Sequence, residues 1–215
     1  MLSPVNNVNI TNSNTNTASG TKNINIPSNL VHENDNKHTD NTKCKEKCTP
    51  DPHITNNNGI KCLYTNTDQL TNKLEELTIF VKQYDIDIIA INETLPKSSN
   101  ITPVFILQGY DCFQNNEGRG VCIFVKSICE TKHIVDFENI YSHSTILEVN
   151  VSKQNYFVFG TIYRSPNCLE SEHDKICTQL DNISKQFCKT DDMVIICGDF
   201  NYPDIDWSTN TCSKK

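Results

Sequence analysis

Aromatic side chains are absent from the start of this 215-residue chain: residues 1–58 contain no Phe, Trp or Tyr, whereas they contain 15 Asn. A segment this polar cannot bury enough apolar surface to offset the conformational entropy that is lost on ordering. We therefore predict that residues 1–58 form a disordered tail rich in Asn, Thr and Ser. The composition changes at Gly59, and we predict that residues 59–215 form one domain.

Long apolar runs are also lacking, both at the N-terminus, where a secretory signal would lie, and at the length that a membrane span requires. The 11 cysteines are odd in number, and Cys62, Cys122 and Cys197 lie inside apolar runs, as small buried hydrophobes do. These features predict free thiols in a reducing, intracellular compartment, and they exclude a disulfide scaffold and a membrane partner.

Basic residues are too few for a broad nucleic-acid footprint. The net charge is −7 and comes from residues 59–215, which hold 14 basic and 21 acidic side chains, while residues 1–58 hold five of each. This balance argues against extensive phosphate contacts made by Lys and Arg. It still allows a nuclease whose few phosphate contacts depend on a metal and on local donors.

Apolar periodicity predicts alternating strands and helices in the domain. Helices are predicted over residues 70–81, after a potential cap at Thr67 or Asp68, and over residues 169–187. Strands are predicted at residues 60–64, 86–91, 121–125, 145–151, 156–163 and 194–197. Strand–helix–strand units at both ends, with hairpin-like strands between them, favour an α/β fold with mixed sheets.

Polar side chains follow four of the predicted strands at their C-terminal ends, where α/β sheets place their ligand sites. These residues are Asn66 and Asp68, then Glu93, then Tyr163, and finally Asp199 and Asn201. Gly198 is expected to let the chain turn, and strand alternation is expected to place Asp199 and Asn201 on one side. A carboxylate that accepts a proton, beside an amide that donates to an oxyanion, suits the activation of water at a phosphate.

Three of these acids, Asp68, Glu93 and Asp199, are candidate ligands for Mg²⁺ or Mn²⁺, which prefer hard oxygen donors. Each has a structural alternative: Asp68 can cap a helix, Glu93 can be an exposed loop acid, and Asp199 can be a turn former. Other polar residues favour structural interpretations outright. The segment 118–120 (Gly-Arg-Gly) indicates a hairpin turn rather than a phosphate loop, because no helix follows it. Surface positions are expected for the histidines His133, His143 and His173.

Five segments in this order resemble the endonuclease/exonuclease/phosphatase superfamily, and specifically the endonuclease domain of non-LTR retrotransposons of the Jockey and chicken-repeat type. The resemblance covers about residues 60–210. The segments are Tyr64–Leu70, Asp87–Thr94, Gly118–Lys126, Gly160–Asn167 and Gly198–Trp207. The resemblance implies a four-layer α/β/β/α sandwich with two mixed sheets, like that of DNase I. It also implies Mg²⁺-dependent (or Mn²⁺-dependent) nicking of a DNA strand to leave a 3′-hydroxyl for reverse transcription.

The resemblance also implies a role for each strand-end residue. Glu93 matches the metal-binding glutamate, and Asn66 and Asp68 match residues that support the metal and the phosphate. Tyr163 matches a tyrosine on the phosphate side. Asp199 and Asn201 match the residues that orient or deprotonate the attacking water and stabilise the pentavalent phosphate.

One departure from the family pattern concerns the C-terminus. The pattern continues with a further aspartate and an Asp-His pair, whereas this sequence stops at Lys215. We therefore expect a C-terminally truncated domain with impaired hydrolysis, without the reverse transcriptase domain that normally follows in cis; nuclear action is implied by the resemblance alone. Two alternatives stay open: another superfamily phosphoesterase that acts on RNA, lipid or inositol phosphate, and a retroelement remnant without function.

Overall fold

The computed structural model describes residues 8–10, 59–98, 102–152, 155–188, 193–206, 208–209 and 211–212. Its strands are β1 (Val8–Ile10), β2 (Ile60–Asn66), β3 (Ile88–Asn92), β4 (Tyr110–Asn115), β5 (Val121–Lys126), β6 (Glu130–His133), β7 (Ser144–Ser152), β8 (Asn155–Tyr163), β9 (Met193–Asp199), β10 (Ile205–Asp206) and β11 (Thr211–Cys212). Its α-helices are α1 (Leu74–Tyr84), α2 (Val135–Glu138) and α3 (Glu170–Phe187), and a 3-10 helix spans Leu70–Asn72.

Two mixed sheets hold most of the strands. The first has the order β1-β2-β3-β5-β4, in which β2 and β3 are parallel and the other pairs are antiparallel. The second has the order β6-β7-β8-β9, in which only β8 and β9 are parallel. β10 and β11 form a separate short hairpin. The prediction of mixed sheets is confirmed.

Strand β3 is buried along its whole length because it has a packed layer on each face. Ile89 and Ile91 lie in the apolar cluster that includes Leu77 and Val81 of α1. Residues 88 and 90 belong instead to the cluster between the two sheets, with residues such as Leu147 of β7. The period-two alternation of a strand thus explains why a run of purely apolar residues was needed here.

The second sheet is covered on its other face by α3. Ile183 and Phe187 of α3 pack with Ile146 of β7 and Val158 of β8. Together with α1 on the first sheet, this gives four layers in the order helix, sheet, sheet, helix. The α/β/β/α sandwich expected from the resemblance is confirmed.

The helix that follows β2 begins later than predicted. Residues 70–72 form a 3-10 turn, and α1 starts at Leu74 with Lys73 at its N-cap and no side-chain cap. Neither Thr67 nor Asp68 caps it; the Thr67 hydroxyl donates to the backbone carbonyl of Glu93 at 3.2 Å. Apolar spacing alone could not distinguish a 3-10 turn from the first turn of an α-helix.

Three residues of the predicted disordered tail, Val8–Ile10, pair antiparallel with Ile60–Cys62 at the edge of the first sheet. The rest of residues 1–58 lies outside the described residues. The nine cysteines that the structure describes are free thiols. Within the described ranges, no helix is long and apolar enough to cross a membrane.

Candidate active site

The C-terminal ends of four strands meet where the parallel pairs of both sheets end. In the first sheet, Asn66 at the end of β2 lies opposite Asn92 at the end of β3. In the second sheet, Tyr163 at the end of β8 lies opposite Asp199 at the end of β9. Because parallel strands bring their carboxyl ends to one edge, each sheet delivers two polar residues to that edge.

Asn92 ties the two sheets together directly beneath these strand ends. This fully buried side chain donates from Nδ2 to the carbonyl of Ile162 at 2.9 Å and accepts a hydrogen bond from the hydroxyl of Thr161 at 2.8 Å. It also donates to the Tyr64 hydroxyl at 3.3 Å. A buried amide with both ends paired fixes the relative position of the strands it joins. Asn92 was not among the predicted site residues, although an Asn that ends a run of buried apolar residues is a signal of such a role.

Asn66 links acids from both sheets. Its Nδ2 donates to Glu93 Oε1 at 3.1 Å and to Asp199 Oδ2 at 3.4 Å, while its Oδ1 accepts the backbone N–H of Asp68 at 3.1 Å. The side-chain nitrogen of Asn66 therefore faces the carboxylates, and its oxygen is engaged by the chain. Asn66, Glu93 and Asp199, predicted from separate strand ends, belong to one hydrogen-bonded group.

Glu93 follows β3 directly with a positive φ of 55°, a conformation that is uncommon outside glycine. Besides the bond from Asn66, its carboxylate has hydrogen bonds from Arg119, at 2.6 Å to Oε2, and from Tyr163. Burial alone would raise the pKa of Glu93, but the hydrogen bonds from Arg119 and Asn66 outweigh it and lower the pKa below its ordinary value. Glu93 is therefore an anion at neutral pH.

Tyr163 is buried at the end of β8, and its hydroxyl bonds Glu93. The pKa of Tyr163 is raised to about 12, mainly by burial and in second place by the negative charge of Glu93. The phenol consequently keeps its proton at neutral pH and acts as a donor.

Arg119 joins the candidate site, although the sequence pattern favoured a purely structural role for it. The segment 118–120 does form the predicted turn, between the antiparallel strands β4 and β5. However, the guanidinium of Arg119 forms ion pairs through Nη2 with both Glu93 and Asp68. Asp68, with a positive φ of 41°, thus joins the site through Arg119 instead of capping α1. A lone Arg between two glycines carried no signal of a partner distant in sequence.

Asn201 departs from the expected arrangement. β9 ends at Asp199, and Asn201 has a φ of 47°, so strand alternation does not extend to it. Its Nδ2 donates to the backbone carbonyl of Arg164 at 2.6 Å, and Arg164 Nη1 donates back to the carbonyl of Asn201 at the same distance. The side chain of Asn201 is thus tied to the segment that follows β8.

Gly198 is required for a different reason from the one predicted. It lies within β9, opposite Ile162 of β8, rather than in a turn. A Cβ at Gly198 would lie 2.0 Å from the carbonyl oxygen of Ile162. The glycine therefore allows close approach of two backbones immediately before Asp199.

The three described histidines are half-buried, and each has a partner. His133 pairs with Glu138 at 2.5 Å, and the His143 ring lies 3.3 Å from the carbonyl of Glu117. The third, His173, contacts the Tyr202 hydroxyl at 2.5 Å. The hydrogen bonds found for these rings do not involve the carboxylates of the site.

The donor set suits a hard divalent cation, because such ions prefer carboxylate oxygens. Glu93, Asp68 and Asp199 supply these oxygens, and hydrogen bonds and ion pairs through Asn66 and Arg119 link the three residues. Among the described residues, however, no group of three or more His, Cys, Asp or Glu side chains is close enough to share one ion. Two of the acids already share the guanidinium of Arg119. A cation at Glu93 would therefore have to share this carboxylate with Arg119 or replace it.

The family model described as Endonuclease/Exonuclease/phosphatase family matches residues 57–214. A comparison with curated protein sequences found no match.

Among solved structures, the endonuclease domain of TRAS1, a telomere-specific non-LTR retrotransposon, is 14% identical over 66% of this chain and 59% of that chain, with a TM-score of 0.52. An AP endonuclease from Archaeoglobus fulgidus is 17% identical over 68% and 61%, with a TM-score of 0.47. TDP2 from D. rerio in complex with a single-strand DNA product is 18% identical over 61% and 54%, with a TM-score of 0.41. This chain spans less than two thirds of each of these structures. The likeness to the TRAS1 domain agrees with the four-layer fold.

Proposed function

Because the chain belongs to the endonuclease/exonuclease/phosphatase family, we propose that the strand-end site hydrolyses phosphodiester bonds in DNA with the help of a divalent cation. The observation that carries this proposal is the hydrogen bonding of Asn66 to both Glu93 and Asp199. It joins a partly buried anion of the first sheet to a carboxylate of the second. Such a pair can divide the work of hydrolysis, with one acid for the cation and one for the attacking water.

Glu93 would be the main carboxylate ligand of Mg²⁺ or Mn²⁺, with Asp68, which shares Arg119 with it, as a second. When bound, the ion would act as a Lewis acid toward the phosphate. The role of Glu93 is supported by its ionisation, which its hydrogen bonds maintain at neutral pH. Asn66 supports the site by positioning Glu93 relative to Asp199 rather than by offering its oxygen, which is bonded to Asp68.

Asp199 is the candidate base that accepts the proton of the attacking water. Tyr163 keeps its proton, since its pKa is raised to about 12, and its single O–H would exchange Glu93 for a phosphate oxygen in order to donate to the substrate. Asn201 uses one amide hydrogen for the carbonyl of Arg164, and we assign its other amide hydrogen to the phosphate as a second donor. Donors that are already fixed before reaction stabilise the charge that develops on phosphate.

DNA is favoured as the substrate by the five sequence segments that resemble retrotransposon endonucleases, together with the fold likeness to the TRAS1 domain. In this proposal the product is a nicked strand with a 3′-hydroxyl, used in the nucleus by a reverse transcriptase domain in cis. The alternative of an RNA, lipid or inositol phosphoesterase remains a separate outcome of the test.

The test is incubation of the chain with supercoiled plasmid, structured RNA and an inositol phosphate, each with Mg²⁺, Mn²⁺ or a chelator. We expect slow, metal-dependent nicking of plasmid, because the described site offers no imidazole donor and one missing donor costs about 10²–10³ in rate. Glu93→Gln and Asp199→Asn should each slow the nicking by at least about 10²-fold, whereas the matched control Asp136→Asn, at an exposed position on α2, should not. Nicking at the wild-type rate in both site variants, or turnover of the inositol phosphate alone, would refute the proposal.

A further inference from the structure

We propose that Arg119 is a built-in counter-ion of the acidic site, which occupies Glu93 in the absence of metal and must leave Glu93 when a divalent cation binds. This inference rests on the proposed function, because it takes Glu93 as the carboxylate that meets the cation. It adds a competition between a side chain and the metal that would control how tightly the metal binds.

The backbone of Arg119 is fixed beside Glu93 on both sides. The carbonyl of Arg119 accepts the N–H of Leu95 at 2.9 Å, and the carbonyl of Gly120 accepts the N–H of Thr94 at 3.2 Å. These donors are the residues that directly follow Glu93. The turn is therefore held against the exit of β3, and a change of partner at Glu93 is left to the side chain of Arg119.

The flanking glycines make this close placement possible. Gly118 and Gly120 have φ angles of 58° and 70°, which side chains rarely adopt. A Cβ at Gly118 would lie 2.5 Å from the ring of His143, and one at Gly120 would lie 2.3 Å from Thr94 Oγ1. The Gly-Arg-Gly sequence thus presents one cationic side chain from a turn with no room for others.

The contacts of the Arg119 guanidinium with the acids are made by one of its three nitrogens. Its Nη2 serves both Glu93 and Asp68, and the side chain of Arg119 is only 15% exposed. Its Nε and Nη1 are buried without a hydrogen-bond partner among the described residues. Buried donors without partners are unfavourable, so this pose depends on the charges of the two carboxylates. A group held in this way can be displaced by an ion of higher charge.

Arg119 and a divalent cation compete for Glu93 through their positive charges. Nη2 lies 2.6 Å from Glu93 Oε2, and Asn66 takes the other oxygen. A magnesium ion binds carboxylate oxygen at about 2.0–2.1 Å. Two positive groups on one carboxylate would lie a few ångströms apart, where their repulsion is strong in a partly buried site. We therefore expect binding of the ion to displace the guanidinium from Glu93.

The first experiment follows Arg119 itself. The chain contains two arginines, Arg119 and Arg164, so the Nε–Hε signals of the full chain form a simple NMR spectrum with an internal reference. We expect saturating Mg²⁺ to shift the Arg119 signal and to leave that of Arg164, which is held by Asn201, unchanged. An unmoved Arg119 signal while Mg²⁺ binds at Glu93 would overturn the proposal.

The second experiment measures Mn²⁺ affinity from the paramagnetic resonance of the free ion. Arg119→Gln should tighten the Glu93-dependent binding at least about fivefold, the lower end of usual coupling between competing ligands, and Arg119→Lys should tighten it less. The matched control is Lys126→Gln, which also removes one positive charge from between two acids, Asp85 and Asp87. Glu93→Gln is added to each variant, and only the Mn²⁺ binding that this substitution removes is compared. Thermal melts test whether the variants fold. If Arg119→Gln does not fold, the NMR titration of the wild-type chain decides the question.

The outcomes separate this inference from the proposed function. Equal Mn²⁺ affinity of wild type and Arg119→Gln, lost in Glu93→Gln, overturns the competition and leaves the hydrolytic proposal intact. Tighter binding by Arg119→Gln without nicking by any form supports the competition and refutes the hydrolytic proposal. Absence of Glu93-dependent binding in both forms overturns both.

Discussion

The side-chain nitrogen of Asn66 lies 3.4 Å from Asp199 Oδ2, although the two residues are 133 positions apart and end strands of different sheets. The same nitrogen lies 3.1 Å from Glu93 Oε1. One amide thus brings together the acids that the two sheets contribute separately. This arrangement depends on the packing of the sheets against each other, which the buried Asn92 fixes beneath it.

Replacing Asn66 by Ala should therefore impair the site without unfolding the domain. The side chain is exposed, so we expect the free energy of unfolding to change by less than about 0.5 kcal/mol. Nicking should fall by about 10²-fold, since the two acids lose their common donor. Urea denaturation and initial nicking rates measure the two effects, with Asn139→Ala at an exposed position as the control. A large loss of stability with little loss of rate would contradict the assigned role.

Asn92→Ala should be strongly destabilising. The substitution leaves the buried carbonyl of Ile162 and the hydroxyl of Thr161 without their partner. Each unpaired buried group costs about 1–3 kcal/mol, so we expect a loss of about 3 kcal/mol. Thr161→Val removes one of these bonds and should cost about 1 kcal/mol. The double variant should lose less than the sum of the single losses in urea denaturation, and strict additivity would contradict the shared bond.

Gly198→Ala should be more harmful than a glycine substitution made elsewhere. The new Cβ would meet backbone atoms of Ile162 at 2.0 Å, and backbone in a parallel pair cannot move aside cheaply. We expect a loss of about 3 kcal/mol or more. Gly109→Ala is the matched control, because Gly109 has a positive φ of 87° but no atom of the described residues within 4 Å of an added Cβ, so its cost should stay at about 1–2 kcal/mol. Equal losses in the two variants would contradict the close-approach explanation.

The contribution of Lys126 to stability should depend on pH. The pKa of Asp85 lies below the ordinary value of 3.8, mainly because Lys126 donates a hydrogen bond to it and in second place because Lys126 is positively charged. A carboxyl group whose pKa is lower in the folded state stabilises the fold above its unfolded pKa, and this stabilisation is lost as the pH falls through the folded pKa.

Lys126→Met should accordingly destabilise the domain at about pH 7 and make a smaller difference at about pH 3. The Asp85 side chain is 65% exposed, so the effect is modest and should shrink further in high salt. Urea midpoints of both proteins across this pH range measure the difference. A difference that grows on acidification would contradict the sign of the pKa shift.

The sequence predicted those parts of the fold that periodicity determines. The all-apolar run that forms β3 indicated a strand buried on both faces, and the spacing of Ile176, Ile183 and Phe187 indicated the buried face of α3. Strand β4 was not predicted, because its sequence, Tyr-Asp-Cys-Phe-Gln-Asn, mixes polar and apolar residues without clean alternation. Local spacing also failed at the start of α1, where a 3-10 turn replaces the first helical turn.

For the candidate site, the sequence singled out Asn66, Glu93 and Asp199, which the structure brings together, because each follows an apolar strand whose end is easy to locate. It missed Arg119, since its partnership with Glu93 arises only when the turn between β4 and β5 folds against the exit of β3. It also misjudged Gly198, whose close contact with Ile162 depends on the pairing of β8 with β9. Both features depend on contacts between elements that are distant in sequence, and such contacts cannot be predicted from local sequence patterns.

The central claim is that acids from two sheets form one hydrolytic site, and a double-mutant cycle on nicking tests it most directly. Single-turnover rates are measured for the wild-type chain, Glu93→Gln, Asp199→Asn and the double variant, at fixed Mn²⁺. Substitutions of residues that act as a unit in catalysis have non-additive effects. We therefore predict that the double variant nicks no more slowly than the slower of the two single variants. A double variant whose loss equals the product of the two single losses would show that Glu93 and Asp199 act independently, and would contradict the single site.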